Sequence, residues 1–197
     1  MDNKKAGQKV FEARNSEQIG AGIAQNMDSY MAGFDKAFSK ALETYRQLQE
    51  ESLKPDLRHV YVCFLRSSIS QQLPLLRIDI YGDTGIEDLD ECSADWDVPF
   101  SKEMYRRMPL IDERFPADKG HNHAAEKVWD EEAELFFVAL KGHMPKITEE
   151  SRKQLPPEVA WHYGEYMDLC GPIADGQPAD PQGPTGDEEN LNDEEKA

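Results

Sequence analysis

The side chains best suited to nucleophilic, acid–base or metal chemistry in this chain are its five histidines and three cysteines. His121-Asn122-His123 places two imidazoles two residues apart. On a strand such a pair shares a face and can chelate one ion, whereas on a helix the two rings point about 200° apart and cannot. The pair follows Gly120 where a helix is expected to begin, so Asn122 reads as a cap accepting the first free amides. Asp112, Glu113 and His143 are the further donors a metal site would need, and the chain has neither HExxH nor a Cys/His ligand spacing. No metal and no other cofactor is therefore expected. His162 and Glu165, three apart on an expected last helix, form a possible acid–base pair, but nothing nearby supplies a nucleophile or oxyanion donors.

Cys63, Cys92 and Cys170 are widely spaced, odd in number and without a CxxC pair, which fits reduced thiols in a cytoplasmic-type compartment. Cys63 and Cys92 fall on apolar strands, where burial raises a thiol pKa, and Cys170 falls at an expected helix C-terminus, whose partial negative charge opposes a thiolate. Gly20-Ala21-Gly22 follows a helix cap rather than a strand, so it does not read as a nucleotide loop. Ser67-Ser68 lack the GxSxG elbow of a serine hydrolase. No catalytic residue is assigned, and an enzyme, metal-dependent or otherwise, is the least favoured of the functional classes.

A different chemistry stands out between residues 83 and 97. Asp83, Glu87, Asp88, Asp90, Glu91, Asp95 and Asp97 put seven carboxylates in fifteen residues with no basic residue among them. The DxDxDG spacing of a calcium loop is absent. The segment is read either as a solvated sheet face or as a patch for a basic partner, with Trp96 as its anchor if exposed. Over the whole chain the net charge is −17. That disfavours nucleic acid and anionic membrane surfaces, which draw on clustered cations, and it favours solubility and steering toward positive charge. The longest apolar runs, 60–65 and 135–140, are far short of the roughly 20 residues of a membrane span, and residues 1–10 lack the apolar centre of a signal peptide.

The elements that must position these residues follow from periodicity. Asn15 and Gln18 make a capping-box pattern. After them Ile19, Ile23, Met27, Tyr30, Met31, Phe34, Phe38, Leu42, Tyr45 and Leu48 recur at helical steps as far as Lys54-Pro55. A single rod of that length would run about 57 Å, longer than a body of this size is wide, so the helix is expected either to break at Gly20, Gly22 or Gly33 or to project toward a second copy. Residues 58–66, 73–81 and 91–98 alternate as strands, and hairpin-sized linkers make them a three-stranded antiparallel meander. Short helices are expected from Ser101 to Met108 and from Thr148 to Leu155, a full-length amphipathic helix over 122–141 with Gly142 as the stop, and a last helix from Pro157 to Leu169. Residues 1–14 read as a flexible lead-in and 15–170 as one domain. Residues 171–197 read as a disordered acidic tail rich in proline and glycine, with eight acids and one lysine.

The fold class expected is α+β: a long N-terminal helix, the meander, then a C-terminal helical segment of two to four helices. The function expected is a non-enzymatic acidic interaction module binding a basic protein, of the immunity or antitoxin type or a phage-encoded inhibitor. A structural protein that oligomerises through the long helix is the second reading.

Overall fold

The computed structural model describes residues 14–65, 75–83, 85, 92–114, 123–166 and 170–173. The N-terminal stripe forms two helices, α1 (Ser16–Gln25) and α2 (Met27–Glu50). Asn15 caps α1 as its sequence predicts: its side chain accepts the Gln18 amide at 2.9 Å while the Gln18 side chain accepts the Asn15 amide at 3.0 Å. The long rod does not exist. It breaks at Asn26, whose backbone leaves helical geometry and whose Nδ2 donates to the Gly22 carbonyl at 2.9 Å. The break is not at a glycine because Gly20 and Gly22 sit within α1, and Gly33 serves packing instead. A Cβ at Gly33 would stand 3.2 Å from both the Asp97 carbonyl and Trp96 Nε1, so the missing side chain lets α2 lie close against the sheet.

All ten apolar positions of the predicted stripe pack inside the chain. Ile19, Ile23, Tyr30, Phe34, Phe38, Leu42 and Tyr45 are buried, and Met27, Met31 and Leu48 lie partly buried against them.

The sheet has five strands: β1 (His59–Phe64), β2 (Leu76–Tyr81), β3 (Cys92–Trp96), β4 (Ala160–Glu165) and β5 (Cys170–Pro172). Their order is β3-β2-β1-β4-β5. The meander is present, with Val62 opposite Ile78 and Ile78 opposite Ala94 in antiparallel pairs. It occupies one half of a mixed sheet. β4 adds to β1 in parallel, His59 opposite Ala160, and β5 pairs antiparallel with β4.

β4 corrects the expected helix from Pro157 to Leu169. Val159, Trp161 and Tyr163 are buried while Ala160 and His162 between them are half-buried, the two-residue period of a strand. Aromatic residues fit that pleated surface well. The sheet also runs past the expected domain edge at 170: Gly171 pairs with Tyr163, and Ile173 is buried and donates its amide to the Trp161 carbonyl at 2.8 Å. Residues 1–13 and 174–197 of the expected lead-in and tail lie outside the described residues.

Two helices run longer than their punctuation suggests. The helix α3 spans Pro99–Arg114, starting two residues before Ser101 and continuing beyond Met108 and Pro109. The helix α4 spans His123–Ile147, through Gly142 and Pro145, because Met144 and Ile147 are fully buried and tertiary packing outweighs the local stop signals. The short helix α5 (Glu149–Arg152) follows, with Thr148 donating its hydroxyl to the Met144 carbonyl rather than capping.

The core fills the space between one sheet face and the helices. Phe34 meets Trp96 edge-on at 5.1 Å, Phe38 meets Trp161 at 5.4 Å, and Phe64 stacks on Phe137 at 4.2 Å. The Tyr163 hydroxyl donates to the Phe137 carbonyl at 2.9 Å, tying β4 to α4.

Glu132 of α4 is buried yet charged, and its carboxylate is shared. Arg14 approaches one oxygen at 3.2 Å and Arg107 of α3 the other at 3.0 Å. Arg14 also reaches Glu103 at 2.7 Å and lies over the Phe100 ring, so the residue expected to be flexible is anchored. Removing the shared carboxylate leaves two largely buried guanidinium groups without it. Glu132→Ala is expected to cost roughly 2–4 kcal/mol in urea unfolding. Glu131→Ala, one residue away in an exposed pair with Lys127, is expected to change stability by less than about 0.5 kcal/mol.

Candidate functional site

The sheet register sorts every strand residue onto one of two faces. Toward the helices point Val60, Val62, Leu76, Ile78, Ile80, Ala94, Trp96, Trp161 and Tyr163, all buried. The opposite face carries the polar and aromatic set. His59, Tyr61 and Cys63 come from β1, Arg77, Asp79 and Tyr81 from β2, His162 from β4 and Cys170 from β5.

On that face His162 stacks on Tyr61 at 4.4 Å, and its Nε2 lies 3.4 Å from His59 Nδ1, so one imidazole donates and the other accepts. Arg77 donates to the buried Asp79 carboxylate at 2.7 Å and lies over the Tyr166 ring. Burial and the neighbouring His59 hold His162 below its ordinary value. A hydrogen bond with Cys170 and burial push the Cys63 thiol well above its ordinary value.

The expected acid–base pair is undone by this geometry. On a strand, His162 and Glu165 differ by an odd number of steps and take opposite faces, so they cannot act together. The partner of His162 is His59, one strand away. His143 lies on α4, where burial lowers its pKa. His123 begins α4, and His121 is outside the described residues. Among the described residues no three metal-ligating side chains converge.

The cysteines also change places. Cys92 is buried as expected. Cys170 opens β5 rather than ending a helix, and its Sγ lies 3.7 Å from that of Cys63.

The acidic segment divides. Asp95 projects from β3 and is exposed between buried Ala94 and Trp96, as the half-buried strand reading requires. Asp97, also exposed, pairs with Lys102 at 2.7 Å. Asp83 sits just past the far end of β2, six residues and about 20 Å of chain from the Arg77 that faces Asp95, and Arg58 approaches it at 3.2 Å. Glu87, Asp88, Asp90 and Glu91 lie outside the described residues. Trp96 is not an exposed anchor: it is fully buried against Tyr30 and Phe34. A large aromatic on the inward phase of a strand belongs to the core, and the alternation that placed Asp95 outward places Trp96 inward.

Asp95 and Asp97 line an open groove of about 590 Å³ where the β3 edge meets α2 and the start of α3. Its other walls include Gly33, Lys36, Lys40 and Lys102. The sequence pointed to the carboxylates but not to Lys36 and Lys40, which approach only once α2 lies along the sheet edge.

The chain matches no family model, no curated protein and no solved structure.

The lowered pKa of His162 fixes the sign of a pH effect. The folded state favours the neutral ring, so below about pH 6.5 the unfolded chain binds more protons and the His162 contribution to stability is lost as pH falls. In an NMR titration the His162 ring is expected to change charge below the ordinary histidine value. The loss of stability between about pH 7.5 and pH 5.5 is expected to be smaller in His162→Phe, with the residual slope carrying the His143 effect of the same sign.

Proposed function

We propose that the protein is a non-enzymatic interaction module that presents an acidic sheet edge to a basic protein. The observation that carries this reading is the exposure of Asp95 on edge strand β3 and of Asp97 just beyond it, beside an open groove that Lys36, Lys40 and Lys102 also line. The net charge of −17 supports it, because a field of that sign draws a cationic partner into encounter before any contact forms. The scarcity of exposed apolar surface supports it too. Among the described residues the large exposed apolar side chains are Leu53 after α2, Leu75 before β2 and Val138 on α4, far apart in the chain, and they do not suggest a hydrophobic contact. A partner that itself handles nucleic acid is the chemical class that fits, since it must carry clustered lysine and arginine for an acidic edge to occupy. That is the logic of an immunity protein, antitoxin or inhibitor.

The oligomeric reading loses its motive. It rested on a single rod too long for the body, and the rod is two helices whose apolar stripes face this chain's own core. For an enzyme reading, the His59–His162 pair is the acid–base contact that the described residues offer.

The test begins with a partner captured from the native host. It is expected to be basic, and its affinity measured by calorimetry is expected to fall as salt rises. Asp95→Lys with Asp97→Lys is expected to weaken binding at least about tenfold, mainly through the association rate, while leaving stability within about 0.5 kcal/mol. Affinity indifferent to both salt and charge reversal would refute the reading.

A further inference from the structure

Cys63 and Cys170 stand on β1 and β5, two strands that never pair. The register explains how they meet. Cys63 lies opposite Gly164 on one side of β4, and Cys170 lies opposite Gly164 on the other. With no side chain on Gly164 between them, the two sulfurs reach across to 3.7 Å. A disulfide does not suit this arrangement. Two strand spacings put the Cα atoms about 9.6 Å apart, whereas a disulfide closes only when they are within about 7 Å. An ion placed between the sulfurs has no such difficulty. At a metal–sulfur bond of about 2.3 Å and a tetrahedral angle, the two sulfurs of one site stand about 3.8 Å apart. A linear arrangement at the same bond length would need about 4.6 Å.

We propose that Cys63 and Cys170 are a bidentate thiolate site for one thiophilic d10 cation of the zinc and cadmium class. Each thiol releases its proton to solvent as its sulfur binds the metal, and no electron is transferred. Among the described residues two donors converge, and no third histidine, cysteine or carboxylate completes a cluster with them. A tetrahedral ion held by these two thiolates takes its remaining ligands from outside the pair. Access is through Cys170, which is half-buried on a three-residue edge strand, while Cys63 is enclosed. Thiolate donors select soft ions over magnesium or calcium.

Cadmium(II) alone, added to the reduced full chain, is the probe. A sulfur-to-cadmium charge-transfer band in the ultraviolet is expected to grow and saturate at one ion per chain. Zinc(II) is expected to displace it and magnesium(II) to leave it unchanged. Cys170→Ser is expected to weaken cadmium binding at least about tenfold, and Cys92→Ser to leave it unchanged. Cys63→Ser is expected to match Cys170→Ser; if it fails to fold, the edge-strand variant carries the test, with its fold checked by circular dichroism. No band, a band saturating at one ion per two chains, or a band that survives Cys170→Ser would overturn the assignment.

Discussion

One helix lying across one sheet face governs the rest of this structure. The stripe on α2 carries Phe34 and Phe38 in successive turns. They meet Trp96 on β3 and Trp161 on β4, strands on opposite sides of central β1. Aromatic side chains of this kind each bury about 150–250 Å², so this contact dominates the apolar surface removed from water. It requires close approach, which Gly33 permits by leaving room for the Trp96 indole and the Asp97 carbonyl. It also limits helix length. α2 must follow the sheet, so the apolar positions before it cannot continue on the same axis, and α1 turns at Asn26 to lie on α4.

The same contact makes the sheet two-sided. Every strand gives its apolar phase to the helices, which sends the other phase of β1, β2, β4 and β5 to a common polar surface. The His59–His162 pair, the Arg77–Asp79 ion pair and the Cys63–Cys170 contact are all products of this sorting. The acidic edge arises from it as well. Once Trp96 is committed inward, Asp95 is committed outward, and the carboxylate and the indole that looked like one recognition element belong to opposite sides of the strand.

Much of this was legible in the sequence where a single element decided the outcome. The Asn15–Gln18 cap, the ten-residue stripe and the alternation of β1, β2 and β3 are local patterns, and each forms as its own residues dictate. Legibility failed where a distant partner decided. Residues 160–165 contain a strand period, but Pro157 and a run of aromatics also suit a helix, and only pairing with β1 resolves the choice. Gly142 and Pro145 mark a helix end that the burial of Met144 and Ile147 overrides. The chemistry suffered the same loss. His59, Tyr61 and Cys63 share a visible period on one strand, yet their partners His162 and Cys170 lay on a segment read as helix, so neither pair could be seen. Glu132 was missed for a related reason: nothing in its neighbourhood in the chain announces that two arginines from elsewhere will enclose it.

The parallel pairing of β1 with β4 sets a timetable for the chain as it leaves the ribosome. His59 waits for Ala160, roughly a hundred residues later, so β1 has one hydrogen-bonding edge unsatisfied while everything between them is made. The meander can assemble early on its other side, since β2 and β3 follow closely. Until α4 and β4 emerge, the nascent sheet is a three-stranded fragment whose future centre is an open edge, able to template pairing with another unfinished chain. The high negative charge acts in that interval, because chains that repel one another are slow to pair by mistake.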